Sequence, residues 1–399
     1  MITLKGITWD HARGYNPLIA SSALYFKEKG IQVDWQKRSL TNFGDQSLEE
    51  LSKQFDLIIM DHPHVGVAEA SQCLLPLNDL LPANILNELK NTSAGPSFES
   101  YHYHGKQWAL PIDAAMQCAS YRADLIVSES LPNTWEEVFI LAKNLASKNL
   151  YIGMALCPTD CLCSFLSLTA GLGSPIQENN ELLNNETLNN ETLNNKLLVE
   201  PSVGLKALIM LRSMRDAFHP KSLDWNPIAL YDYMAEQNDI AYSPLAFCYT
   251  NYSRVGFRKN SLKYHTAPEI NNAVLGGAGI AITSSSSNVQ EAANYAAWIC
   301  TGEIQSSIYV NAQGQPGNKM AWENKHANAI TNNFFASTMP SLTHAFVRPR
   351  YQGWPKFQTF LGETIHAYLV QDTAPELVLE KLQAAYTASY IIEKNIENK

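Results

Sequence analysis

The spacing of apolar runs at the start of the chain constrains its architecture more than any other feature. ITLKGITW from residue 2, IQVDWQK from residue 31 and FDLIIM from residue 55 are short, and helix-patterned stretches separate them. Runs of this length between helices read as strands, and strands that alternate with helices imply a parallel α/β sheet. Residues 17–29 read as the first helix, closed by Gly30, and 47–53 as a shorter second one. Such sheets bind ligands at the carboxyl ends of their strands. Two polar clusters fall there: WDHAR (9–13) after the first strand and DHPH (61–64) after the third. Trp9, Asp10, His11, Arg13, Asp61 and His62 are therefore expected on one rim.

The remaining chain is too long for one simple core. With 399 residues, two domains are the expectation. GKQWALPIDAA (105–115) reads as a strand pair leading out of the first lobe. Residues 133–149 carry a strong helix signal, with Asn133 or Thr134 as cap and Glu136 and Glu137 in the first turn. Further helices are expected at 201–217, 289–300, 303–311, 355–371 and 375–395. Residues 179–198, NNELLNNETLNNETLNNKLL, are tandem pentapeptides whose period suits neither a helix nor a strand face. They read as a surface insertion, either an adhesive loop or simply a tolerated, exposed duplication.

Composition removes several function classes. A net charge of -9 opposes non-specific nucleic-acid binding, and no apolar run approaches the roughly 18 residues of a membrane span. Met1 leads straight into a strand-like segment, without the basic and apolar regions of a signal peptide. The expectation is a trimmed periplasmic or extracellular protein, or a cytoplasmic one if Met1 is the native start. Seven cysteines cannot all pair, which favours a reducing compartment or buried thiols.

Motif chemistry points to binding rather than catalysis. Asp10, His11, Asp61, His62 and His64 are good metal-ligand types, yet no His-x-x-x-His spacing supports a site. CPTDCLC (157–163) lacks a matching ligand pair, and SSSS (284–287) lacks the glycines of a nucleophile elbow. LGGAGIAI (275–282) falls short of a dinucleotide fingerprint. No catalytic residue, metal or cofactor is expected. Trp9, Tyr121, Trp225, Tyr242, Tyr249, Tyr252 and Trp354 fit a pocket where rings stack, or equally a core.

Longer phrases, in order, carry a resemblance. FDLIIMDHPHVGVAEASQCLLPLNDLLP resembles a strand delivering an Asp to a cleft, followed by a Leu-Pro-Leu-x-Asp-Leu phrase. YHGKQWALPIDAAMQCASYRADLI resembles a hinge strand of the form Gly-Lys-x-(Tyr/Trp)-Ala-Leu-Pro, and LPNTWEEVFILAKNL a Pro-x-Thr-Trp-Glu-Glu helix. LGGAGIAITSSSSNVQEAANYAAWICTGEIQSSIYVNAQGQP resembles a Gly-Gly strand, Ser-rich cap, helix and Gly-x-x-Pro close. Together they resemble the family 1 extracellular solute-binding proteins of ABC importers, the maltose-binding-protein-like group with the type II periplasmic-binding fold.

The resemblance implies two α/β lobes, each a mostly parallel sheet flanked by helices, with a ligand clamped between them. Lobe one would span 1–112 plus 266–311, and lobe two 113–265 plus 312–399, with hinges near 111–113, 265 and Gly314. The carried-over ligand-binding residues are Trp9, Asp10, His11, Arg13, Asp61, His62, Asp113, Tyr242, Ser243, Gly276 and Gly277. Arg13 would either hold a ligand carboxylate in a two-pronged contact or pair with Asp10 or Asp61. The implied protein is not an enzyme. It is a monomer that closes on a sugar, polyol, or small organic acid or amine, with ABC permease subunits as partners. A cytoplasmic metal-dependent enzyme (around Asp10, His11, Asp61 and His62) or a ligand sensor on the same fold is the alternative. The first reading expects Trp9→Ala and Asp10→Asn to weaken binding while leaving folding nearly intact.

Overall fold

Strand β1 (Thr3–Trp9) pairs in parallel with β2 (Gln32–Arg38) on one side and β3 (Leu57–Met60) on the other. The helix Ala12–Lys29 makes the crossover from β1 to β2. It starts at Ala12 rather than 17, because His11 caps it: the His11 Nδ1 accepts the Arg13 N–H at 3.1 Å. Pro17 therefore lies inside the helix, and Gly30 ends it at a left-handed φ of 71°. In β3, Leu57 and Ile59 enter one apolar cluster while Ile58 and Met60 enter another. That two-residue alternation, with both faces covered, explains why LIIM (57–60) is apolar throughout.

The computed structural model describes residues 1–177 and 196–397, so the insertion expected at 179–198 lies outside the described residues except for its last three positions. The remaining strands are a small hairpin of β4 (His102–Tyr103) and β5 (Lys106–Gln107), then β6 (Leu110–Tyr121), β7 (Tyr151–Ile152), β8 (Ile240–Phe247), β9 (Lys263–His265) and β10 (Leu275–Ile282).

The chain divides into two units. Unit one comprises Met1–Met116, Tyr249–Phe257 and Leu275–Thr343. Its sheet runs β2-β1-β3-β10-β6, parallel through the first three strands and antiparallel at β10 and β6. Unit two comprises Gln117–Cys248, Arg258–Val274 and His344–Lys399. There the second half of β6 pairs antiparallel with β8 and β9, and β7 joins β8 in parallel.

This division departs from the expected boundaries. Residues 113–116, 249–257 and 312–343 pack in unit one, and 266–274 in unit two. Hydrogen bonds supply the reason. Gln315 donates from Nε2 to the Ala114 carbonyl at 2.7 Å and accepts the Thr250 N–H at 2.9 Å. Arg254 Nη2 reaches the Val310 carbonyl at 2.5 Å, and the Ala94 N–H reaches the Gly317 carbonyl at 2.8 Å. Buried backbone groups need such partners, so these segments go where their partners are.

CPTDCLC opens a helix, Pro158–Gly171, buried along nearly its whole length in the core of unit two. It packs against Trp354–Gln371, where a Cβ at Gly362 would stand 2.4 Å from the Pro158 carbonyl oxygen. Only glycine permits that approach. The helix Trp135–Ala146 carries the expected cap as a full capping box between Thr134 and Glu137.

Candidate functional site

The end of β1 and the start of its helix set up a charged, aromatic cluster within unit one. The Asp10 N–H extends the strand ladder by donating to the Arg38 carbonyl at 2.7 Å, and the chain turns at His11 into the helix. That turn puts Arg13 on the first helical turn, 4% exposed, facing β6. Its guanidinium meets Asp113 along one edge: Nε donates to Oδ2 at 2.7 Å, and Nη2 donates to Oδ1. The guanidinium carbon stands 4.5 Å from the centre of the Tyr249 ring. His11 meets the same ring edge-on, centroids 5.1 Å apart, and lies 6.4 Å from Phe257. Tyr252 closes the group, 5.2 Å from Phe257.

β10 supplies the floor. Gly277 has φ +103°, and a Cβ there would stand 2.4 Å from the Asp113 carbonyl oxygen. The glycine lets the two strands approach exactly where the carboxylate leaves β6, an approach that no side chain would permit. Gly276, its neighbour in the strand, is half-buried. Beside it the helix after Gly302 loosens into a π turn, Gln305–Tyr309. Gln305 Nε2 donates to the Ile112 carbonyl at 3.0 Å, which fixes β6 immediately before Asp113.

Burial dominates the electrostatics. It pushes the Asp113 carboxyl above its usual range, while the Arg13 guanidinium pulls the other way. A buried carboxylate with a two-pronged guanidinium partner stays ionised, because the alternative is an uncompensated Arg13. The pair contributes no net charge to the surface it supports.

Of the residues named from sequence, the structure brings together His11, Arg13, Asp113 and Gly277. The acid facing Arg13 is Asp113, not Asp10 or Asp61. Asp10 is exposed and pairs with Lys37 at 2.8 Å. Trp9 is core: it is 5% exposed, packs on Phe43 with centroids 5.3 Å apart, and leaves no room for a Cβ at Gly14. Asp61 accepts the His62 N–H at 2.9 Å as a cap, and the fully buried His62 ring stands edge-on to Tyr101 on the Met60 side of the sheet. Tyr242 and Ser243 lie in β8 of unit two, both fully buried, their hydroxyls without hydrogen-bond partners among the described residues.

Among the described residues no three His, Cys, Asp or Glu side chains form a metal-holding group, so Asp10, His11, Asp61 and His62 do not assemble into one. No described helix is long and apolar enough to cross a membrane. A cavity of about 390 Å³ in unit two, lined by Asn272, His344, Phe346, Arg348 and Arg350 among others, includes none of the residues named from sequence. Sequence reasoning missed Phe257 and Gln315. Nothing in the GQP phrase that contains Gln315 signals a partner on β6.

No family model matches the chain, and no curated protein is significantly similar to it. Solved structures are. An ABC transporter solute-binding protein from Thermotoga lettingae, bound with alpha-D-tagatose, superposes with a TM-score of 0.78 at 18% identity, over 98% of this chain and 100% of that one. The chain has the solute-binding-protein fold. A solute-binding protein from Agrobacterium radiobacter K84 in complex with ribitol gives 0.77 at 18% identity, covering 96% of this chain and 97% of the other. Maltose-bound MalE3 of T. maritima gives 0.76 at 15%, covering 96% and 98%. The solute-binding-protein fold thus accounts for the strand-and-helix pattern of the described residues, as the ordered sequence phrases implied.

Proposed function

We propose that this protein is a solute-binding protein for ABC-type import, and that His11, Tyr249 and Phe257, backed by the Arg13–Asp113 pair, present a ligand-contacting wall. The ligand is a small, neutral, hydroxylated molecule: a sugar or a polyol. The carrying observation is the pairing itself. Arg13 already spends its two-pronged edge on Asp113, which leaves an aromatic wall of zero net charge. Such a surface favours the C–H face of a sugar or polyol over an organic acid. The tagatose, ribitol and maltose bound by proteins of the same fold support that choice.

On this reading no bond is made or broken, and the protein is not an enzyme. Its partners are permease subunits, its working form is a monomer, and its place is outside the cytoplasmic membrane. Gly276, Asp61, His62, Tyr242 and Ser243 remain proposed contacts, to be tested singly. The experiment is isothermal calorimetry against sugars, polyols, organic acids and amines. One-to-one binding of a neutral solute, weakened at least tenfold by Tyr249→Leu, supports the reading; binding confined to acids or amines overturns the ligand class.

A further inference from the structure

We propose that Cys118 and Cys248 are a disulfide site, joined when the chain folds in an oxidising medium. None of the seven cysteines, all of them described, is in a disulfide in this structure. Two have other partners: Cys157 donates to Asp160 at 3.1 Å, and Cys161 donates to the Leu156 carbonyl at 3.0 Å. Cys118 and Cys248 are set against each other.

Both belong to unit two and are fully buried. Cys118 stands opposite Ala246 in the antiparallel β6–β8 pairing, with Gln117 opposite Phe247. Cys248 directly follows Phe247, the last residue of β8, so it stands just past the paired end of the ladder, two residues from the partner of Cys118, and both thiols lie beside the buried Tyr231 hydroxyl. Diagonal neighbours stand about 7–8 Å apart at Cα in a flat pair, and a disulfide spans up to about 6.8 Å. Sheet twist shortens one diagonal, and the register shift just after Cys118 gives β6 local freedom to follow. The two thiols also act on each other directly: with burial as the larger cause, Cys248 helps push the Cys118 thiol well above its ordinary range.

The chemistry is thiol–disulfide exchange with a small-molecule disulfide. Two S–H bonds break and one S–S bond forms. The two electrons reduce the oxidant, which leaves as two thiols carrying the two protons. Both thiols are buried in the folded chain, so exchange occurs during folding or opening. The bond would close a loop of roughly 130 residues, long enough to raise the thermal midpoint by roughly 5–10 °C.

The test is to unfold the reduced full-length chain and refold it in a glutathione redox buffer. Expected are a mass lower by two hydrogens, titratable thiols falling from seven to five, and a peptide map linking 118 to 248. Cys118→Ala and Cys248→Ala, treated alike, should each keep all six remaining thiols. Seven thiols after refolding, a linkage between any other pair, or the same mass loss in either variant would overturn the proposal.

Discussion

Arg13 and Asp113, 100 positions apart in sequence, meet edge to edge through two hydrogen bonds, with both side chains nearly excluded from water. One comes from the first helical turn and the other from the strand that carries the chain out of unit one, so the contact ties the start of the chain to β6. Breaking a buried pair strands one charge. Arg13→Met and Asp113→Leu should each cost about 3–5 kcal/mol, while the double variant recovers much of that loss. Urea denaturation of the three variants checks this, and additive losses would mean that the two side chains act separately.

Trp9 and Asp10 adjoin in sequence but differ in surroundings. Trp9→Ala should cost about 3–5 kcal/mol, as for a large core ring, and so unsettle folding itself. Asp10→Asn removes an exposed partner of Lys37 and should leave the thermal midpoint unchanged. A pair of calorimetric scans separates the two, and a Trp9→Ala protein as stable as the wild type would place Trp9 outside the core.

Gly277 holds a backbone conformation that L side chains rarely adopt, directly against the Asp113 carbonyl. Gly277→Ala should destabilise by about 1–3 kcal/mol and shift the carboxylate from Arg13. Chemical denaturation gives the first quantity. Solute affinity measured below the unfolding transition gives the second, and an unaltered midpoint would show that the strands do not need the glycine.

His265 gives a pH dependence in unit two. Burial between Tyr121 and Tyr242 pushes its imidazole down to about 4. The folded value lies below the unfolded one near 6.5, so the folded state prefers the neutral ring. Its contribution is fully present above about pH 6.5 and is lost as pH falls towards 4, about 3 kcal/mol in all. The slope of stability against pH between 7 and 4 should flatten in His265→Phe. An identical slope in the variant would assign the acid sensitivity to other groups.

Much of the fold was legible because period and punctuation are local. β1 and β3 stood out as short strand-like runs, β2 by its apolar–polar alternation, and the helix starting at Thr134 by its cap residues. The Pro158–Gly171 helix was hidden, because a helix apolar on all sides has no period and its cysteines suggested chemistry instead. Pro17 deflected the first helix start, since the capping power of His11 depends on a turn that sequence does not show. The site was half legible: a strand end attracted attention to His11 and Arg13. Which acid meets Arg13 depends on pairing across 100 residues, and WDHAR offered Asp10 as a nearer partner. Tyr249 was one aromatic among many until Gln315 fixed its segment beside Asp113.

The central claim is that an uncharged aromatic wall, neutralised beneath by Arg13 and Asp113, receives a neutral solute. Calorimetric titration of the wild-type protein with sugars and polyols, alongside organic acids and amines, tests it most directly. Saturable one-to-one binding of at least one sugar or polyol, and none of the organic acids, is the expected result. Heat from the charged compounds alone, or from no compound in the panel, would contradict it.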